Sequence, residues 1–436
     1  MESKGDKEKI VLIGAGSLQF GLGAAGCVLN SKILKGATIS LHDINAESLN
    51  LAYQACNAAI EENKLDYILE STTNRSEALK GATFIINSIE VAPRFDLWDQ
   101  DYEIPRKFGN KQVFGENGGP GGFFHSLRVI PPILEICEDV QKICPNALFM
   151  NFSNPMSRIC LAIKRKFPLL KFVGLCHEYH HHEIIVSRII DTPLSNLEIK
   201  AGGLNHFGVF LDVKYKDSGK DAYPDIRKKG PDYLRSIKTM DGHKIMIYIL
   251  EKFGYLPYTT DSHFGEYIHW AWEIADMDGI HNFKSTYMKS IDFASNKITK
   301  LIQRGKGAKL VKRDEERAIP IIEEILTNSN YTEASVNLPN DGIIPNLPSD
   351  LVVECPAIVN KDGLQAVELG EYPKGLAGLL RNQATVQDLV VEAVISKSKD
   401  KALQALLADP VVDSYTQAEK ILDEMLRIQS DYIELV

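Results

Sequence analysis

The chain has 436 residues, of which 44% are hydrophobic, and a formal net charge of −9. This length allows two or three domains with a large buried core. The charged N-terminus resembles no secretory signal, and no apolar run is long enough to span a membrane. The net negative charge and the lack of a long run of lysines and arginines in the sequence argue against nucleic acid as a partner. Seven scattered cysteines predict reduced thiols. We therefore expect a cytoplasmic globular protein.

Short apolar runs alternate with helix-like stretches in the first half of the chain. The runs that predict strands are 10–13, 37–41, 84–87, 147–151 and 172–175. Their continuous apolar character is typical of strands that are buried on both faces. The alternation of strand and helix predicts a parallel sheet covered by helices on both sides.

The pattern changes after about residue 195. Residues 197–217 alternate between apolar and polar side chains, which predicts an antiparallel pair of strands. The Asn-Asp-Gly at 340–342 predicts a hairpin or tight turn, and long helical patterns occupy roughly 286–328 and 382–432. We expect a first domain over 1–195 and a second, α+β domain over 196–436, which carries substrate, metal and oligomer contacts.

A glycine-rich turn follows the first predicted strand. Gly14 and Gly16 allow a tight turn and close approach of the backbone, with Ser17, to a pyrophosphate, although Gln19 replaces the third glycine of the usual fingerprint. Asp43 ends the next strand, where a carboxylate binds ribose hydroxyls and repels a 2′-phosphate. The pattern favours NAD on a Rossmann-type doubly wound sheet. The alternative is a plain strand–turn–helix with a surface aspartate.

Two asparagines end further strands of the same predicted sheet. Asn87 closes the run at 84–87, and Asn151 closes the run at 147–151. Ligands of open parallel sheets bind outside the carboxyl ends of the strands. We expect both side chains to cradle the cofactor.

The segment 174–183 reads GLCHEYHHHE, with Cys176 and His177 directly after a predicted strand. A thiolate at this edge is a strong ligand for a divalent ion. If 179–190 is a helix, the histidines at 180–182 fan around its axis and cannot share one metal. His206, flanked by glycines in GGLNHFG, is a candidate second ligand. The alternative is a buried histidine whose ring nitrogens are hydrogen-bonded within the core.

Seven motifs in order resemble glycoside hydrolase family 4, whose members are NAD- and manganese-dependent glycosidases with a fold similar to that of lactate and malate dehydrogenases. The motifs are IGAGS near the start, GGPGGFFHSLRVIP at 118–131, NFSNPMSRIC at 151–160, VGLCHE at 173–178, GGLNHFG at 202–208, SHFGEY at 262–267 and NDGIIPNLP at 340–348. The resemblance runs nearly end to end. It implies an α/β fold with a dehydrogenase-like C-terminal domain, and a homodimer or homotetramer.

The resemblance places the family's metal pair on Cys176 and His206. A Cys-His pair at this point is similar to the branch that acts on unphosphorylated α-glycosides, either α-galactosides or α-glucosides. The same chemistry on an α-uronide is the alternative. Glu116 and Asn117 stand where several relatives carry Asp-Thr, so we expect them to affect sugar recognition.

The resemblance also implies roles for residues around the sugar. Tyr267 is the candidate base, with Asp261 as runner-up. Asn154 is expected to bind sugar hydroxyls, and His177 either protonates the leaving oxygen or binds the C2 hydroxyl. Arg128 is expected to orient the substrate or brace the site, a structural ion pair being the alternative.

The expected reaction begins with hydride transfer from the sugar C3 to NAD, which makes the C2 proton acidic. Loss of that proton and elimination at C1 are followed by addition of water and return of the hydride, with a divalent ion as Lewis acid. A 2-hydroxyacid dehydrogenase and a non-enzymatic NAD-binding regulator are the rival interpretations.

Overall fold

A parallel sheet occupies the first part of the chain in the computed structural model, which describes residues 5–18, 20–238, 241–312 and 316–436. Its strands are β1 (Lys9–Ile13), β2 (Thr38–His42), β3 (Ile68–Thr72), β4 (Phe84–Asn87), β5 (Leu148–Asn151) and β6 (Phe172–Gly174). They lie in the order β3-β2-β1-β4-β5-β6, the order of a doubly wound nucleotide-binding sheet. The predicted fold class is confirmed.

Helices cover both faces of this sheet. They are α1 (Phe20–Leu29), α2 (Ala46–Asn63), α3 (Arg75–Leu79), α4 (Arg94–Lys107), α5 (Gly119–Ile143), α6 (Met156–Lys166) and α7 (Glu178–Ile190). Successive residues of a strand point to opposite faces. Ile10 and Leu12 accordingly pack into the core on the side of α1 and α2, and Val11 and Ile13 into the core formed with α5 and α6.

Antiparallel strands extend the same sheet. They are β7 (Leu197–Leu204), β8 (Phe207–Tyr215), β9 (Tyr331–Pro339), β10 (Val352–Asn360) and β11 (Gly363–Ala366). β7 and β8 form the predicted pair, and β9 and β10 pair around the predicted turn at 340–342. β9 pairs with β6 through Asn337 and Gly174, which joins the two halves of the sheet.

The remaining helices are α8 (Tyr223–Ser236), α9 (Lys244–Phe253), α10 (Asp261–Phe264), α11 (Ala271–Ile274), α12 (Met277–Gln303), α13 (Ala318–Thr327), α14 (Lys374–Ser396), α15 (Lys399–Ala408) and α16 (Tyr415–Ile428). The two long helical patterns predicted in this part are therefore interrupted. Gly305 adopts a φ of 70° after α12, and Lys397 a φ of 52° after α14. A left-handed residue ends a helix because its backbone cannot continue the hydrogen-bond ladder.

One strand of the parallel sheet, β3, does not have the apolar sequence that predicted the others. β3 at the edge of the sheet has the sequence ILEST, and its side chains are exposed or half-buried. No helix in the described residues is long and apolar enough to cross a membrane. The domain boundary at 195/196 stays a prediction.

Candidate active site

The glycine turn and Asp43 build one wall of a cavity of about 700 Å³ at the carboxyl edge of the sheet. Gly14 has a φ of 86°, and the amide of Gly16 donates to Asp43 Oδ2 at 2.8 Å. A Cβ at Gly16 would lie 2.7 Å from that oxygen, so only glycine allows this contact. Gly14, Ser17 and Asp43 line the cavity. Gln19 lies outside the described residues.

Asn87 and Asn151 do not line the cavity, contrary to expectation. Asn87 Nδ2 donates to Asn151 Oδ1 at 2.9 Å, and Asn151 Nδ2 donates to the carbonyl of Ser153 at 2.9 Å. Both side chains are fully buried. They hold the ends of β4 and β5 together, whereas Ser153 and Asn154 beside them face the cavity.

A second cavity of about 280 Å³ adjoins the first and contains the predicted metal pair. Residues that line both cavities are Phe20, Arg94, Glu116, Phe152 and Asn154. The side-chain oxygen of Asn154 accepts the amide of Met156 at 3.2 Å. This bond is an Asx-turn, the alternative role for Asn154. The residue also lies where the two cavities meet, and its contact with the substrate stays a prediction.

Cys176 and His206 converge from different elements. Cys176 follows β6, and His206 is in the two-residue turn between β7 and β8 with a φ of 61°. A non-glycine residue at positive φ is strained and is common at functional sites. Cys176 Sγ lies 3.3 Å from His206 Nε2. The sequence pattern alone could not bring these residues together, since they are thirty positions apart.

This pair fits a divalent metal. His206 Nδ1 is buried and has no hydrogen-bond partner among the described residues. Burial, helped by the nearby His263, lowers the pKa of His206 far below its usual value, so its imidazole is neutral, as a metal ligand must be. Burial raises the pKa of the Cys176 thiol, and a bound cation would favour the thiolate instead.

The cluster after Cys176 differs from expectation in one respect. α7 begins at Glu178, not at 179, and His177 before it has helical backbone angles. His177 and His181 are therefore one helical turn apart, with ring centroids 4.6 Å from each other. His177 and Glu178 line the second cavity. Burial alone would raise the pKa of Glu178, but His263, His182, His206 and His177 lower it to about 2.

Glu116 and His263 complete a charged wall between the cavities. Arg94 Nη2 lies 3.1 Å from Glu116 Oε1, and the amides of Glu116 and Asn117 donate to the buried carboxylate of Glu266. His263 lines the second cavity, and its ring meets that of His206 edge-on at 4.5 Å. The sequence analysis missed His263, although the motif SHFGEY contains it.

Tyr267 and Asp261, the two candidate bases, lie behind this wall and do not line either cavity. Tyr267 stacks on Phe207 at 5.0 Å, and burial raises its pKa well above the usual value. Asp261 is fully buried, and its Oδ1 accepts the amides of Ile245 and Met246. Burial raises the pKa of Asp261 to about 7. The base assignment stays a prediction.

Arg128 and Asn117 are not placed for the substrate contacts expected of them. Arg128 forms a two-pronged ion pair with Asp101 at 2.8 and 2.5 Å and also donates to Gln429 at 2.7 Å. The structural ion pair is thus the geometry found. Asn117 is buried, and its side-chain amide has no hydrogen-bond partner among the described residues.

Family models match most of the chain. Residues 9–192 match the model described as Family 4 glycosyl hydrolase, and residues 201–412 match its C-terminal domain. The chain belongs to glycoside hydrolase family 4. This membership confirms the expected glycosidase class and removes the 2-hydroxyacid dehydrogenase and the non-enzymatic regulator as interpretations.

Individual relatives agree with the family. An α-glucosidase of Erwinia rhapontici is 44% identical over 98% of both proteins. The crystal structure of a 6-phospho-α-glucosidase from gut microorganisms with NAD and Mn2+ has a TM-score of 0.85 at 22% identity, over 99% of this chain and 100% of that one. A lactate dehydrogenase from a Medee basin deep-sea metagenome library has a TM-score of 0.51 at 14% identity, over 89% and 99%. The expected similarity to the dehydrogenase fold is confirmed.

Proposed function

We propose that this family 4 enzyme hydrolyses unphosphorylated α-glucosides with NAD and a divalent ion such as Mn2+. The observation that carries the proposal is the pair of adjoining cavities. One is lined by Gly14 and Asp43, and the other by Cys176 and His206. This arrangement would place a sugar between the nicotinamide and the metal, which oxidation at C3 requires. The relative that is named α-glucosidase supports the choice of sugar.

The bound groups would supply hydride transfer and Lewis acidity, and the residues of the chain would supply position and proton transfer. Asp43 would bind the ribose hydroxyls, and Cys176 and His206 would hold the metal. Tyr267 is our candidate for removal of the C2 proton. Burial and the charge of Glu266 raise its pKa, so this role requires the bound cation to lower the pKa again. His177, half-exposed on the second cavity, would protonate the leaving oxygen.

The charge of the second cavity favours a neutral sugar. Glu116, Glu178 and Glu316 line it. Arg94 also lines it, but Arg94 is paired with Glu116 at 3.1 Å and lies 3.8 Å from Glu90. Arg94 is the only arginine or lysine among the described residues that line this cavity, so a phosphate or carboxylate on the sugar would have to compete with Glu116 for its guanidinium. The lining therefore supports unphosphorylated α-glucosides over uronides and 6-phosphates.

The experiment compares nitrophenyl substrates under reducing conditions with NAD and Mn2+. We expect the α-glucoside to be cleaved faster than the α-galactoside, the α-glucuronide and the α-glucoside 6-phosphate. Chelation of the metal should abolish turnover. Preference for the 6-phosphate or the uronide would contradict the substrate assignment, and full activity after chelation would contradict the metal requirement.

We further propose that the enzyme is a cytoplasmic homodimer or homotetramer. All seven cysteines are free thiols, which supports a reducing compartment. Light scattering after gel filtration would test the oligomeric state, and a monomeric mass would contradict it.

A further inference from the structure

The first turn of α7 gathers three possible metal ligands beside the Cys176–His206 pair, and two of them line the same cavity. One ligand atom each of His177, Glu178 and His181 lies within 4.8 Å of the other two. His177 and His181 are at positions i and i+4, so both imidazoles project from one face of the helix. Glu316, from a different segment, brings a carboxylate oxygen to 3.7 Å from His177 Nδ1.

The neighbouring histidines are engaged elsewhere. His180 lies 3.2 Å from the buried carboxylate of Glu333, and His182 Nδ1 lies 2.8 Å from the carbonyl oxygen of Glu178. His177 and His181 are both exposed, so an ion from solvent can reach them. Exposed side chains can change rotamer at little cost.

We propose that His177, Glu178 and His181 form a second cation site, for zinc-like ions, at the mouth of the substrate cavity. Two imidazoles and a carboxylate are suitable ligands for zinc, nickel or copper. Nitrogen ligands bind these ions more tightly than they bind manganese. Tetrahedral zinc with bonds of about 2.1 Å needs ligand atoms roughly 3.4 Å apart. Binding of the ion therefore requires rotation of these side chains toward one another.

An ion bound at this site prevents the glycoside from binding. His177 and Glu178 line the cavity that also contains Cys176 and His206. An ion held there fixes His177 and narrows the entrance, so inhibition is competitive with the glycoside. This consequence rests on the proposed function, whereas binding of the ion does not.

Zinc binding is tested by equilibrium dialysis, without an activity readout. The parent should bind two zinc ions per chain and the His181→Ala variant one, with the affinity of the lost site reduced at least about tenfold. Cys176→Ser should keep the ion at the α7 site. His281→Ala, which removes an exposed imidazole on α12, is the matched control and should bind like the parent. Equal zinc binding by His181→Ala and the parent would overturn the site, even if the protein had no glycosidase activity.

Inhibition is tested with Mn2+ in excess. His181→Ala should keep the parent's kcat/KM without zinc, and the zinc concentration for half-inhibition should rise at least about tenfold. The His281→Ala control should be inhibited like the parent. Equal inhibition of His181→Ala and the parent would show that zinc acts at Cys176 and His206, and would overturn the blocking role.

Discussion

Replacement of Arg128 distinguishes a structural residue from a substrate contact. Its guanidinium pairs with Asp101, and the two side chains are 3% and 1% exposed. Arg128→Met would leave the Asp101 carboxylate buried without its cation, which costs about 3–5 kcal/mol of unfolding free energy. In a chain of this size, that corresponds to a fall in Tm of roughly 3–5 °C. Thermal unfolding followed by circular dichroism measures it.

The matched control removes both charges at once. The Arg128→Met/Asp101→Leu variant should be less destabilised than the sum of the single variants, because neither charge is then buried alone. KM for the glycoside should stay near the parent value in the folded Arg128→Met protein. A parent-like Tm together with a tenfold rise in KM would show that Arg128 binds the substrate.

Four further outcomes are expected, three at the site and one at Glu354, a buried carboxyl group on β10. Asp43→Ala should weaken NAD binding about tenfold, because hydrogen bonds to a charged group are lost; unchanged NAD affinity in calorimetry would contradict the ribose role. Cys176→Ser should lose Mn2+ binding and activity, because an alcohol stays protonated at neutral pH; activity of this variant in EDTA would contradict the metal site. With D2O as solvent the released sugar should carry deuterium at C2, and Tyr267→Phe should slow exchange and turnover together; unlabelled product would refute the elimination route. Burial raises the pKa of Glu354 from 4.5 to about 7, so its stabilising effect is full below the lower value and is lost as the pH rises through the higher one. Glu354→Gln should therefore flatten the fall of Tm between about pH 5 and about pH 8, and an unchanged slope would contradict this.

Local patterns predicted the elements whose burial is uniform. β1 and β4 are buried along nearly their whole length, and their apolar runs correctly predicted them as strands. β3 was not predicted, because its position at the edge of the sheet leaves its side chains partly in solvent and its sequence is therefore not an apolar run. Asn87 was placed correctly at a strand end. Its direction was not predictable, because that depends on the partner Asn151, which is sixty-four residues away.

The site was also predicted only in part, because its contacts join residues that are far apart in the sequence. The residues themselves made Cys176 and His206 candidate ligands, but their assignment as one metal pair came from the family resemblance, since each belongs to a different strand end. Glu178 lies two residues after Cys176, and its sequence position alone did not indicate that it faces the cavity. Its role depends on the imidazoles that surround it, His263 above all, which long-range packing supplies.

The segment formed by α10 and the three residues after it contacts several parts of the site. Within SHFGEY, His263 meets His206, Glu266 accepts the amides of the loop that carries Glu116, and Tyr267 stacks on the residue after His206. A Cβ at Gly118 would lie 2.6 Å from the carbonyl oxygen of Glu266, so this loop and the segment are in direct backbone contact. Glu116 lines both cavities, so the segment that holds its loop also holds part of the wall of each. The cofactor cavity and the metal pair thus share one support, which depends on contacts between residues about 150 positions apart.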